Sequence, residues 1–231
     1  MSFYKLYFKK IVIITISLVV IGTILFFYNF QLFLLRDYKI RGIDISHYQK
    51  SVNWKLVKQK NDFCILKATQ GSSYIDPTFR NYWNNAQKNN IKTGAYHYFS
   101  PNISASKQFE NFKNNVKLGT NDLPPILDVE EKEVNIDEVN KWLKMAEDYY
   151  GVKPIVYSSY TFFQVFMNGK VEKYPLWLYI NHKFKLRPVI REYDCKLLQY
   201  NQYGKVNGIP GDVDLDVFLG NNEEFNKMLI K

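Results

Sequence analysis

Two regimes of apolar patterning divide the chain. Residues 11–35 (IVIITISLVVIGTILFFYNFQLFLL) carry no charge and few polar groups, whereas beyond residue 40 short apolar runs alternate with stretches of helical periodicity. The first regime is long enough to cross a bilayer core, which takes about 20 apolar residues. It is apolar on every face, which a surface helix of a soluble domain is not. Lys5, Lys9 and Lys10 precede it and predict a cytoplasmic N-terminus with the remainder exported; Arg36, Lys39 and Arg41 on the far side weaken that bias. The rival is a cleaved signal peptide, which would leave the protein secreted. Against it, the stretch exceeds the usual ~7–15 apolar residues and no Ala-x-Ala-like site closes it. The expected organisation is a cytoplasmic segment 1–10, a transmembrane signal anchor 11–35, a linker 36–39 and one domain over 40–231.

In that domain the pattern predicts strands at 40–46, 63–68, 92–99, 125–130, 154–158, 175–181, 196–201 and 212–218. Amphipathic helical stretches fall at 52–60, 77–89, 104–116, 136–150 and roughly 160–167. Asp76 before Pro77 reads as a helix N-cap with proline at the first helical position. Asn135 before IDEV reads as a second cap, with acids in the first turn favouring the helix dipole. Strand–helix alternation predicts a parallel sheet between helices, and eight strands favour a closed barrel over an open sheet. After the fifth strand the helices give way to loops, so the last three strands lack full crossovers. The domain is also shorter than the ~250 residues of a complete (β/α)8 barrel.

Composition adds limits. The 231 residues carry 31 Lys+Arg against 22 Asp+Glu, and this excess of nine positive charges is scattered. No run of five or more basic residues marks a nucleic-acid arm. The two cysteines, Cys64 and Cys195, have no zinc-ligand spacing, and Cys64 lies in the apolar run FCIL, where a buried free thiol is expected. The three histidines, His47, His97 and His182, differ in strand parity from the acids, so no metal site and no cofactor is expected.

Candidate chemistry gathers at strand ends, where barrels of this kind carry their active sites. In LPPILDVEE (123–131) the period of two places Asp128 and Glu130 on one strand face. Like charges that close raise one pKa and keep a proton available near neutral pH, as a general acid requires. Glu131 and Glu133 read as acids capping the next helix. Asp44 and Ser46 share a face in RGIDISHYQ (41–49), and Asp212, Asp214 and Asp216 share one in GDVDLDVF (211–218). First and last strands are neighbours in a closed barrel, which brings Asp44 towards Asp214. Tyr96, Tyr98, Tyr157, Trp177, Tyr179 and Gln199 supply rings and an amide for a sugar cleft. Lys67 in ILKATQG points inward and needs an acid partner.

Together and in this order, RGIDISHYQ, WKLVKQKNDFCILKATQG, DPTFRNYWNNAQKNNIKTGAYHYF, LPPILDVEE, PIVYSS, PLWLYI, LLQYNQYG and GDVDLDVF resemble glycoside hydrolase family 25, the muramidase-type lysozymes. The resemblance spans nearly all of 41–219. It implies an α/β fold, an irregular TIM-like barrel of five β/α units followed by three strands, acting as a monomeric catalytic domain over 40–231. It further implies cleavage of the β-1,4 bond after N-acetylmuramic acid in peptidoglycan strands. Glu130 matches the proton donor, Asp128 its partner, and Asp44 and Asp214 the other acids of the cleft; Lys67, Tyr98, Tyr157, Trp177 and Gln199 are the expected substrate-binding residues. The chain departs from the pattern at Tyr48 (usually Trp), Gln70 (usually Glu), Asp216 (commonly Asn), Tyr179 and Asn181, and it carries no wall-binding repeats. Two alternatives stand beside this reading: a non-catalytic glycan-binding barrel, and a hydrolase of another amino-sugar polymer such as chitin.

Overall fold

The computed structural model describes residues 2–171, 173–180 and 192–231, and within the first helix the side chains at 2, 3, 5, 6, 24, 25 and 27–33 lie outside the description. Asn181 and His182 fall outside the described residues. The chain forms two compact units, Met1–Asp37 and Tyr38–Lys231.

The first unit is a helix, α1 (Ser2–Leu34). Apolar side chains along it, among them Ile13, Ile14, Leu18 and Val19, are exposed. Among the described residues no helix is long and apolar enough to cross a membrane. The transmembrane helix expected at 11–35 is corrected to that extent: the segment is helical, and a span is not found in it.

The second unit is a closed barrel. Its strands are β1 (Arg41–Ile45), β2 (Phe63–Gln70), β4 (Lys92–Tyr98), β5 (Ile126–Asp128), β6 (Ile155–Ser159), β7 (Leu176–Tyr179), β8 (Cys195–Val206) and β9 (Ile209–Phe218). β1 pairs with both β2 and β9, closing the ring β1-β9-β8-β7-β6-β5-β4-β2, while β3 (Tyr74–Ile75) pairs only with β2. β9 is antiparallel to both neighbours and the other seven ring strands run parallel. Helices α2 (Trp54–Val57), α3 (Phe79–Lys88), α4 (Ala105–Asn115), α5 (Ile136–Tyr150) and α6 (Tyr160–Phe162, running into a π-helical turn Phe163–Met167) lie between strands, and α7 (Asn222–Met228) ends the chain. Because α2 is a single turn and 181–191 are outside the described residues, the count of five complete β/α units stays an expectation.

Both faces of the parallel strands are covered, which is why they read as near-continuous apolar runs. Inside the ring, Phe63, Ile65, Ile126, Ile155, Leu197 and Phe218 form the core. Gly42 is needed there, since a Cβ on it would lie 2.2 Å from the Phe63 ring. α7 closes the end of the barrel where the parallel strands begin: Phe225 packs against Phe63 and Phe218, with ring centroids 5.7 and 5.1 Å apart. A reciprocal capping box starts that helix, Glu224 N–H donating to Asn221 Oδ1 and Asn221 N–H to Glu224 Oε2. Outside the ring, His97 stacks on Trp142 of α5 and bonds Thr69 and Gln108. Asn135 caps α5 as expected, accepting from the amides of Asp137 and Glu138, and Gly151 at φ +70° terminates it.

Several expectations shift. β5 ends at Asp128, so Glu130 lies in the following turn. The helix expected at 77–89 begins at Phe79, and Asp76 is not its cap. That carboxylate instead accepts from the Thr78 amide and hydroxyl, and from His47 N and Nδ1. β8 and β9 are longer than expected and meet in a hairpin through Asn207-Gly208, with Gly208 at φ +98°. Cys64 and Cys195 are buried free thiols.

Candidate active site

The strand ends opposite α7 carry the chemistry, and backbone register decides which side chains meet there. Asp44 pairs across from Asp214, Tyr98 from Asp128, Asp128 from Tyr157, Tyr157 from Trp177, and Gln199 from Asp216. The six parallel-strand positions and the two acids of β9 therefore face one cleft at the mouth of the barrel.

Asp128 is buried, and its Oδ1 has no hydrogen-bond partner among the described residues. Glu130, one turn-residue beyond Val129, is exposed to the cleft. Burial, then the charge of Glu130, raises the Asp128 pKa well above its ordinary value. Burial and the neighbouring Glu131 raise that of Glu130. Lys67 opposes both shifts. The two carboxyls thus titrate as a pair that retains a proton above the usual carboxylate range. Burial works against a fully ionised Asp128, which would depend on Lys67.

Among the described residues Lys67 has no direct acid partner of the kind expected. Its Nζ donates to Gln70 Oε1 at 2.7 Å and lies over the rings of Tyr98 and Tyr74, 4.9 and 5.6 Å from their centroids. Partial burial lowers its pKa, while Asp128, Asp76 and Glu130 act on it through space in the other direction. Tyr98 donates its hydroxyl to Glu131 Oε1 at 2.8 Å. Glu131 is therefore tied to the cleft rather than to the cap of α5, which Asn135 supplies.

On the other wall, Tyr157 Oη donates to Gln199 Oε1 at 2.8 Å and Gln199 Nε2 donates to Asp44 Oδ2 at 2.7 Å. Trp177 Nε1 donates to Asp216 Oδ1 at 2.9 Å. Asp44, Gln199, Tyr157 and Trp177 are all under a tenth exposed. Burial raises the Asp44 and Asp216 pKa values well above ordinary, and burial with the charge of Glu130 lifts Asp214 to about 6. Trp177, expected to stack on a sugar, instead closes the cleft floor, its ring 4.3 Å from that of Tyr157. Rings open to solvent come from positions outside the expected set: Tyr48 and Tyr203 at about three-quarters exposed, and Tyr74.

Asp76 and Glu131 are the residues that sequence reasoning misassigned, each as a helix cap. No group of His, Cys, Asp and Glu suited to a metal occurs among the described residues. His97 is buried under α4 and α5 with its pKa lowered to about 4 by burial, so it is neutral, and His47 is held by Asp76.

The model for glycosyl hydrolases family 25 matches residues 43–209. The chain belongs to that family. As a family 25 enzyme it is a glycoside hydrolase. It is 37% identical over 207 residues to the uncharacterized protein YegX of Escherichia coli (strain K12), covering 85% of this chain and 75% of that one. It is 29% identical to lysozyme M1 of Streptomyces globisporus, over 78% of this chain and 68% of the relative. Among solved structures, a family 25 glycosyl hydrolase from Bacillus anthracis superposes with a TM-score of 0.73 at 30% identity, covering 84% of this chain and 95% of that one. A bacterial lysozyme from Streptomyces coelicolor gives 0.73 at 26% identity, over 82% and 96%.

Proposed function

We propose that this family 25 enzyme is a muramidase, hydrolysing the β-1,4 bond between N-acetylmuramic acid and N-acetylglucosamine in peptidoglycan. The observation that carries the reading is the Asp128/Glu130 pair: one carboxyl buried, the other open to the cleft, both raised in pKa at the end of one barrel strand. Relatives named as lysozymes support the substrate. Glu130 protonates the bridging oxygen as the glycosidic bond breaks, which a carboxyl with a raised pKa does near neutral pH. Asp128 acts from behind. Its unpartnered Oδ1 is placed to accept the N–H of a substrate 2-acetamido group. Held in that way, the acetamido oxygen attacks the anomeric carbon, and water then completes hydrolysis with Glu130 as base. Asp44 and Asp214 line the opposite wall, with Tyr157 and Gln199 fixing Asp44.

The test is product analysis on purified peptidoglycan with the full chain and Glu130→Gln. Wild type is expected to release fragments ending in reducing N-acetylmuramic acid, and the variant to fall by about 10²–10⁴-fold. Binding of intact glycan without product by the folded wild type would establish the glycan-binding alternative instead. Release from chitin alone would reassign the substrate.

We further propose that the barrel works outside the cytoplasm at the bacterial membrane, where the polymer lies. The charge-free stretch 11–35 behind Lys5, Lys9 and Lys10 supports this. Protease added to intact spheroplasts is expected to digest the barrel; full protection until lysis would overturn the placement.

A further inference from the structure

Two carboxyl groups on the cleft floor face each other without a counter-charge between them. Asp44 on β1 is 8% exposed and Asp216 on β9 is fully buried. Each takes one neutral N–H on one oxygen, from Gln199 and from Trp177. Among the described residues no donor reaches Asp216 Oδ2, which is buried. The two carboxyls sit on neighbouring strands, Asp216 across from Gly42 and Asp214 across from Asp44, close enough to act on one another. Two acceptors bond only when a proton sits between them, and two ionised carboxylates at that separation in a buried site repel strongly.

The groups around the pair do not relieve that repulsion. Asp214 adds a like charge from β9; Cys64 of β2, Tyr96 of β4, Tyr157 of β6 and Trp177 of β7 are neutral. Tyr200 of β8 lies on the strand's outer face, with the Arg41 guanidinium over its ring at 5.7 Å.

We infer that Asp44 and Asp216 hold one proton between them, and that Asp216 is a positioning residue keeping Asp44 aimed into the cleft. The inference rests on the muramidase reading only for the consequence of that aim; the proton itself does not depend on it. Of the two carboxyls, one is neutral and donates, the other is ionised and accepts. Trp177 Nε1 fixes the outer oxygen of Asp216, and the shared proton turns its inner oxygen towards Asp44. An asparagine at 216, common in the family pattern, would place an amide N–H where this chain places the proton. Here the link to Asp44 is titratable, where an amide would make it permanent.

The experiment is a carboxyl-carbon NMR titration of the full chain with labelled aspartate, in wild type, Asp216→Asn and Asp216→Leu. Wild type is expected to show two aspartate signals sharing one proton at pH 7, absent in Asp216→Asn. Both signals fully ionised at pH 7 in wild type, or an Asp44 titration unchanged in Asp216→Asn, would overturn the inference whatever the enzyme's substrate. Thermal unfolding supplies a second readout. The raised pKa of the pair stabilises below the ordinary aspartate range and is lost as pH rises through the folded-state titration. Wild type should therefore lose Tm with rising pH faster than Asp216→Asn does; parallel curves would count against the shared proton. For positioning, Asp216→Asn should retain more kcat/KM than Asp216→Leu, on the order of tenfold or more. Equal losses in folded variants would overturn the positioning role.

Discussion

At Lys67 and Gln70 a single neutral side chain changes the electrostatics of the proposed acid. Glutamate usual at 70 would form an ion pair with Lys67; Gln70 only accepts its hydrogen bond at 2.7 Å. The lysine charge is left to act on Asp128 and Glu130, lowering both from where burial sets them. Gln70→Glu adds a negative charge and draws Lys67 away, so both effects raise the carboxyl pair. The alkaline limb of kcat/KM is expected to move to higher pH, on the order of one unit. A pH–rate profile with an unmoved or acid-shifted limb would show that Lys67 does not reach the pair. Single residues were only partly legible. Strand parity put Asp44, Asp128, Asp214 and Gln199 on the right face. Parity carries no depth, however, so Trp177 read as a stacking ring although it is 2% exposed. Asp76 and Glu131 read as helix caps because local sequence shows a helix start but not a distant His47 or Tyr98.

Secondary-structure elements were read with more success, for a physical reason. A barrel strand is buried on both faces and produces an apolar run that stands out against the polar helix surfaces between. All eight ring strands overlap the predicted windows, though β2, β6, β8 and β9 run past them. β5 stops at Asp128, while the amide of Val129 still bonds Tyr157 O at 3.0 Å and so carries Glu130 to the rim. The β8–β9 hairpin had a usable signal in Asn207-Gly208, a turn dipeptide between apolar residues. Its antiparallel direction matters: it sets Asp214 against Asp44 and lets Asp216 lie deeper, across from Gly42. α7 likewise carried a cap signature, Asn221 followed three residues later by Glu224. Its role as the plug of the barrel was not legible, because packing against Phe63 is a long-range fact.

For the whole barrel, buried titratable groups pull stability in opposite directions with pH. His97, fully buried beneath α4 and α5, has its pKa lowered to about 4 from 6.5. Between those values the unfolded chain binds a proton that the folded one refuses. This contribution is complete above pH 6.5 and lost as pH falls through 4, about 3 kcal/mol in all. Asp214, raised to about 6 from 3.8, acts with the reverse sign: its contribution is present at low pH and lost as pH rises to 6. Its partial exposure makes the change smaller than a fully buried carboxyl would give. Over pH 4–6 the His97 trend offsets that of Asp214, while Asp44, Asp128, Glu130 and Asp216 hold protons that the unfolded chain gives up, so Tm is expected to fall as pH rises. Asp44, Asp128 and Asp216, raised well above their ordinary values, carry that decline furthest. Replacing His97 with glutamine removes one side of the balance. The variant's barrel is expected to lose stability from pH 4 to 6 more steeply than wild type, whatever its absolute Tm. Calorimetric scans across that range decide the matter, and identical slopes in the two proteins would mean that His97 is not held neutral by its burial.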